Sequence, residues 1–350
     1  MPDLYPYGFR IVGPCSSERR RIDWHRAFAA YATCDERAHV EREAYLSEFT
    51  FADDFRAHLA DTGSTKGFNG ACWSPWLWFD LDRDADAGGI DAALNDARRL
   101  CVQLCDRFAI VDDALLVFFS GSKGFHVGLP TAGFNPQPSP DFHRITRHFA
   151  EHVAGAVGVM IDTGVYDKVR AFRAPNSRHG KSGRHKRRLT VDEVLHLSAA
   201  RIVELAAKPE PFDVPTDATC GFELPAAWNE AAEQVKHEAK AQAEHRAAIA
   251  NGDKPVSLNQ LTIDFIREGA SVGDRHRLLF SASANMAEFG CPPPLAHALL
   301  TESALDCGVP PSDVRRQIDS GLASVMPTVR QVQEVFPDAE VVAVAEGGAT

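Results

Sequence analysis

The feature that most constrains this chain is the run Trp76-Leu77-Trp78-Phe79-Asp80-Leu81-Asp82, an apolar stretch with bulky aromatics that closes on two acids one residue apart. Such residues suit a buried, pleated strand, and side chains along a strand alternate with period two. Asp80 and Asp82 therefore share one face. Two carboxylates on one face at the end of a buried strand repel each other unless a cation lies between them. Hard divalent ions such as Mg²⁺ are held by one or two carboxylates together with substrate phosphates. The pair points to a metal site for phosphoryl transfer. The plainer alternative is a buried strand that meets solvent at an acidic turn, because Arg83-Asp84-Ala85-Asp86 continues polar and Gly88-Gly89 follows.

With 350 residues, 45% of them hydrophobic, the chain can bury a full core and divide into two domains. No apolar run approaches the ~20 residues that span a bilayer, and no apolar signal segment follows Met1. A cytoplasmic protein with no membrane partner is expected. The eight cysteines include no C-x-x-C pair, so neither a zinc site nor a disulfide framework is supported. The net charge of −11 excludes a uniformly basic nucleic-acid binder, but the distribution of charge matters more than its sum. Between Asp167 and Leu189 stand Lys168, Arg170, Arg173, Arg178, Lys181, Arg184, Lys186, Arg187 and Arg188, with no acid among them.

Along the chain, helical patterning is expected over 21–33 and over 41–59, the latter interrupted at Thr50-Phe51. Residues 62–70 form a glycine-rich loop carrying Lys66, which does not meet the G-x-x-x-x-G-K-[ST] pattern. A helix over 90–108 and a strand over 114–119 lead into Ser120-Gly121-Ser122-Lys123-Gly124-Phe125-His126. Hydroxyls, backbone N–H groups and an ammonium in one such turn can reach phosphate oxygens. A helix over 141–157 precedes Val159-Met160-Ile161-Asp162, read as a third apolar strand ending in an acid. If a strand continues, Lys168 and Arg170 share a face. A strand near 182–190 and a helix over 191–207, capped by Asp192, follow. Residues 208–222 are proline-rich and read as a linker. The helix over 225–250 is polar around most of its circumference and reads as a bridge or a partly packed element. Four more helices are expected at 258–268, 273–289, 293–305 and 311–325, and a disordered tail at 337–350.

Taken in order, the hydrophobic-Asp-Leu-Asp strand, the Ser-Gly-Ser-Lys-Gly-Phe-His turn, the run Ile161-Asp162-Thr163-Gly164-Val165-Tyr166-Asp167-Lys168-Val169-Arg170-Ala171-Phe172-Arg173 and the basic tail resemble the archaeo-eukaryotic primase superfamily, the primase-polymerases of plasmids, phages and eukaryotes. The likeness covers about residues 60–200. It implies an α+β fold: a primase-polymerase catalytic domain with a mixed sheet flanked by helices around an RRM-like core over 1–207. A linker and bridging helix over 208–254, a small all-α C-terminal domain over 255–330 and a tail over 331–350 complete the expected organisation. The run Gly273-Asp274-Arg275-His276-Arg277-Leu278-Leu279-Phe280 looks like the G-x-R-x-x-x-L-F signature of the helical domain that follows many plasmid and phage primases, with a role in starting primers.

The implied activity is DNA primase-polymerase chemistry, template-directed nucleotidyl transfer on single-stranded DNA from NTPs or dNTPs. The resemblance assigns Asp80, Asp82 and Asp162 to two divalent ions, Mg²⁺ or Mn²⁺; Asp167 competes for the third place, and the motif favours Asp162. Ser120, Ser122, Lys123 and His126 would contact the incoming triphosphate, and Arg170 and Arg173 the triphosphate or template. Gly124 departs from the pattern, since many members carry serine there. Lys66, Arg178, Lys181, Arg184, Lys186 and Arg187 are the expected nucleic-acid contacts, and Trp73, Trp76, Trp78 and Phe68 are candidates for stacking on bases, with core packing the alternative. A replicative helicase is an expected partner, as this chain has no helicase loop of its own. The alternatives are a non-catalytic nucleic-acid-binding module or a gap-filling end-joining polymerase; the presence of all three acids favours the enzyme, and the helical C-terminal part favours priming.

Overall fold

The computed structural model describes residues 4–216, 219–250, 258–271, 273–288 and 290–324; Val272 and the expected tail over 331–350 lie outside them. The chain divides into two compact units, Met1–Ala241 and Gln242–Thr350.

The first unit begins with a hairpin of β1 (Tyr7–Val12) and β2 (Arg20–Asp23), followed by α1 (Trp24–Ala32). Asp23 starts that helix by accepting a hydrogen bond from the Arg26 N–H at 3.0 Å, the usual role of an aspartate at an N-cap. Next come β3 (Ala44–Ser47), β4 (Thr50–Phe51), α2 (Asp53–Thr62), β5 (Cys72–Trp73), β6 (Trp76–Asp82) and α3 (Gly89–Phe108). β7 (Leu116–Phe119), β8 (Gly124–Pro130), α4 (Phe142–Gly155), β9 (Ala171–Arg173), β10 (Arg187–Leu189), α5 (Val191–His196), α6 (Ala199–Leu205) and the greater part of α7 (Glu223–Ala250) complete it.

The strands form two sheets. One runs β5-β4-β1-β3-β9 with β2 also on β1, and the other runs β10-β7-β8-β6. Every pairing among the described residues is antiparallel, which corrects the expected mixed sheet. The reason is topological. The α3 crossover returns β7 in the direction of β6, but the tight 120–123 turn sends β8 back between them, so both contacts become antiparallel. The sheets meet where Phe172 of β9 packs on Trp78 of β6, ring centroids 5.3 Å apart.

Three local expectations change. Residues 44–47 and 50–51 are strands joined by a bend rather than part of a helix, because Tyr45, Thr50 and Phe51 are strong β-formers and Leu46, Phe49 and Phe51 are buried. Residues 159–162 are not a strand; Met160 is 65% exposed, and the segment makes a single backbone bond to β6. The helix over 191–207 is two helices, and Thr190 rather than Asp192 caps the first through a reciprocal capping box with Glu193.

Helix α7, expected as linker and bridge, contributes Leu224, Trp228 and Ala231 to the first unit's core. The Trp228 ring lies 5.1 Å from that of Phe142 and 5.6 Å from that of Phe134. In the second unit, α8 (Gln260–Glu268), α9 (Arg275–Glu288), α10 (Pro293–Asp306) and α11 (Pro311–Ser324) enclose a separate core of Phe265, Leu279, Met286, Leu300 and Ile318. Gly321 allows close approach of α11 to α9: a Cβ there would lie 2.5 Å from Ser283 Cβ and 2.6 Å from the Phe280 carbonyl oxygen.

Because Trp228 is an anchor of the first core, Trp228→Ala is expected to destabilise this unit by about 3–5 kcal/mol, read as a lowered urea midpoint. A chain ending at residue 241 should melt cooperatively, whereas one ending at residue 210 should not, as judged by near-ultraviolet circular dichroism.

Candidate active-site cleft

Along β6, Trp78, Asp80 and Asp82 face one side, and the register sets Gly128, His126 and Gly124 of β8 directly across from them. The two glycines make room. A Cβ on Gly128 would lie 2.6 Å from the Trp78 ring, and one on Gly124 would overlap the Asp82 carboxylate and stand 2.5 Å from the Leu81 carbonyl oxygen. Glycine in place of serine at 124 is thus a steric requirement of Asp82 in this register. Between the glycines, His126 Nε2 lies 3.5 Å from Asp80 Oδ1, and its ring sits 4.3 Å from that of Phe172.

The 120–123 turn is closed by two bonds: the Ser120 N–H donates to the Gly124 carbonyl at 2.9 Å, and the Gly124 N–H donates to Ser120 Oγ at 3.2 Å. Gly121 has φ +90°, a conformation that favours glycine. Lys123 Nζ bridges Asp84 Oδ1 at 2.6 Å and Asp82 Oδ2 at 3.6 Å. Asp162 is held beside β6, its N–H donating to the Asp80 carbonyl at 2.9 Å. Its own Oδ1 accepts from the Gly164 N–H at 2.8 Å and starts a 3₁₀ turn, Thr163–Tyr166. The Tyr166 hydroxyl then donates to the Trp78 carbonyl at 2.8 Å.

These elements surround a cleft of about 200 Å³ lined by Asp80, Asp82, Ser120, Ser122, Lys123, His126, Arg170 and Arg173, with Tyr45 and His179 also on its wall. Asp162 borders Asp80 through the backbone without lining the cleft. The acids are strongly perturbed. Burial, then the charges of Asp82 and Asp162, push the Asp80 carboxyl well above the carboxylate range. Burial also raises Asp82, against the pull of the Lys123 ammonium. Burial, with the Lys186 and Arg173 charges, drives His126 well below its ordinary value and favours a neutral ring. Lys186 is buried, its ammonium 4.3 Å from the Phe172 ring centroid and donating to the Arg173 carbonyl at 2.8 Å. Burial lowers its pKa.

Among the described residues no three His, Cys, Asp or Glu side chains stand as a ready-made metal cage. Yet Asp80 Oδ1 is buried without a hydrogen-bond partner. An orphaned carboxylate oxygen beside a second carboxylate is a hard-oxygen donor set that suits Mg²⁺ or Mn²⁺.

The cationic block divides by burial. Arg178 and Lys181 are exposed, and Arg184 is half-buried; Lys66 is exposed in the loop after α2; none of the four lines the cleft. Arg187 is paired with Glu210 at 2.8 Å. Lys186, expected as a nucleic-acid contact, is instead sealed under the cleft with its ammonium over aromatic rings. Lys168, outside β9, donates to the Asn69 and Gly70 carbonyls at 3.1 and 2.9 Å and pins the glycine-rich loop. Trp73, Trp76, Trp78 and Phe68 are buried in the core, so packing and not base stacking is their role.

Sequence reasoning missed Glu48, Tyr45 and His179. Glu48 is 2% exposed, and burial raises its carboxyl, with the Asp80 charge adding and the Arg170 charge opposing. It directly precedes Phe49, where a lone acid gives no signal. Tyr45 positions Arg173, whose Nη2 donates to the tyrosine hydroxyl at 3.1 Å. His179 Nδ1 accepts the Lys181 and Ser182 N–H groups, each at 3.2 Å, so its neutral ring carries the proton on Nε2.

The fold and site define a protein with two antiparallel sheets and an acidic pocket walled by cationic side chains. No family model matches the chain, and no curated protein matches it. Among solved structures, that of the primase RepB′ is similar at 11% identity and a TM-score of 0.33, over 97% of each chain.

A raised acid pKa has a defined sign in stability. Above the unfolded value of 3.8, native Asp80 holds a proton the unfolded chain has lost, so stability falls as pH rises toward the folded pKa. Asp80→Asn needs no proton to stay neutral and should therefore raise stability at pH 7, a gain that should shrink toward pH 4. Thermal melts of both forms across that range check it.

Proposed function

We propose that this chain is a DNA primase-polymerase that adds nucleotides to a 3′-hydroxyl on a single-stranded template and starts primers there. The observation that carries this reading is the convergence, in one small cleft, of Asp80 and Asp82 with His126, the 120–123 turn, Arg170 and Arg173. Nucleotidyl transfer needs little covalent work from the protein: it positions the reacting groups and neutralises developing charge. Asp80 and Asp82, with Asp162 beside them, would hold the divalent ions, which when bound stabilise both the attacking and the leaving oxygen.

The other residues act directly on the substrate. A neutral His126 offers an N–H to a phosphate oxygen rather than a second charge. Arg170 and Arg173 supply planar cationic forks for the triphosphate, and Tyr45 fixes Arg173 in that orientation. Ser120, Ser122 and the turn's backbone N–H groups supply short-range donors. Lys123 is held by Asp82 and Asp84, and an incoming triphosphate would compete with those carboxylates for it. The succession β6-α3-β7-β8-α4, with Asp162 returning beside β6, supports an RRM-like core. The helical unit is proposed to act in initiation.

Divalent-dependent incorporation of labelled nucleotide on primed single-stranded DNA tests the reading. Asp80→Ala or Asp82→Ala should lower it by about 10³-fold or more, equivalent to ~4 kcal/mol of barrier, while the circular dichroism spectrum is retained. Wild-type-level extension by either variant would end the metal assignment. A chain ending at residue 241 should extend a supplied primer and fail to start one on unprimed template.

A further inference from the structure

A second cationic recess lies at the outer end of β1, apart from the cleft lining. It has a volume of about 370 Å³ and is walled by Arg10, Ser17, Glu18, Arg20, His39 and Arg42. The antiparallel register places Arg10 directly opposite Arg20, and like charges directly across a strand pair are destabilising. The neighbouring arginines of β2 and its approach are engaged elsewhere. Arg19 donates to Thr65 Oγ1 at 2.6 Å and to the Val169 carbonyl at 3.0 Å, while Arg21 lies 5.1 Å over the Tyr7 ring. Arg20 is bonded to Glu18 at 2.8 Å, and Arg10 Nη1 donates to the Arg37 carbonyl at 3.1 Å. His39 shapes the rim in a left-handed conformation, φ +53°, and its carbonyl accepts the Arg42 N–H at 2.9 Å. Three guanidinium groups thus face one carboxylate, in a chain whose net charge is −11.

The recess and the cleft are linked through the backbone around Arg178. Arg173 of the cleft donates to the Arg178 carbonyl at 3.4 Å, and the Arg178 N–H donates to the Val40 and Arg42 carbonyls at 3.0 and 3.2 Å. Arg42 of the recess and Arg173 of the cleft thus lie on either side of Arg178, and a strand that repeats its phosphate can occupy both places where a single nucleotide occupies one. We propose that this recess seats a backbone phosphate of the nucleic-acid strand whose reacting end lies in the Asp80 cleft, an inference that rests on the reading above. Arginine forks hold phosphate oxygens bidentately, and a bound phosphate removes the Arg10–Arg20 repulsion.

The test is fluorescence anisotropy of a labelled single-stranded oligodeoxynucleotide on the full chain without divalent ion. Arg10→Ala/Arg42→Ala should weaken binding by roughly 10- to 30-fold at ~0.1 M salt and flatten the dependence of log affinity on log salt by about 0.7, the contribution of one phosphate on a single strand. Arg10→Lys/Arg42→Lys should keep the wild-type slope. Glu18→Gln should tighten binding, a gain that misfolding cannot produce. Unchanged oligonucleotide affinity and slope in the alanine variant, or no tightening in Glu18→Gln, overturns the proposal. So does a loss confined to ATP or inorganic phosphate titrated separately, which would mark a small-anion site. If wild type binds strands through these arginines yet incorporates no nucleotide, the recess stands and the polymerase reading falls.

Discussion

Asp80 is buried near the end of β6, opposite His126, with Asp82 and Asp162 close enough to raise its affinity for a proton, and its own charge raises that of Glu48. Removing one carboxylate from water is costly, and gathering several makes each harder to ionise. The surrounding fold is arranged to hold that charge density in place. The six-stranded sheet brings Glu48 and Phe172 from one side, the four-stranded sheet brings the Asp80–His126 pair from the other, and Asp162 is tied to Asp80 by a backbone bond. Nothing in core packing requires acids there, since leucine in their place would fill the same strand at no electrostatic cost. The strain is tolerated by the structure and has its rationale in chemistry at the cleft.

The counter-charges are graded by depth. Lys186, sealed beneath the cleft, acts from below on both Asp80 and His126. Arg170 and Arg173 stand at the wall, and Lys123 spans the mouth between Asp82 and Asp84. Lys186 keeps its ammonium over Phe172, Phe118 and Trp78, so cation–π attraction offsets part of its lost hydration. Its effect on His126 is to disfavour a second positive charge, which keeps the imidazole a hydrogen-bond donor and acceptor rather than an ion.

Much of this site was legible in the chain because its parts are periodic or punctuated. The β6 run, the 120–126 turn, α3 and the four C-terminal helices follow period two, small-residue clusters and period 3.6. The first seventy residues were opaque for a physical reason. β3 and β4 are four and two residues long, too short to display alternation, and β2 is a polar strand whose exposed face carries arginines. The basic block misled at Lys186 because sequence shows charge but not depth: a long aliphatic stem can bury its head group when aromatic faces and a carbonyl receive it. Asp162 was expected, from the motif, as the third acid at a strand end, and the strand is absent. One backbone bond to Asp80 does the positioning that a strand was expected to do.

The acidic total and the cationic interior belong to one electrostatic design. A nucleic-acid enzyme with uniformly basic surfaces binds any polyanion at every face. Here the cleft, the 177–185 loop and the end of β1 each carry arginines, and the loop is stitched down by Ser182 Oγ to the Gly121 carbonyl and by the Arg178 N–H to the Val40 and Arg42 carbonyls. If one strand occupies both the cleft and the β1 recess, as proposed above, the loop that carries Arg178 between them is already held in place before that strand arrives.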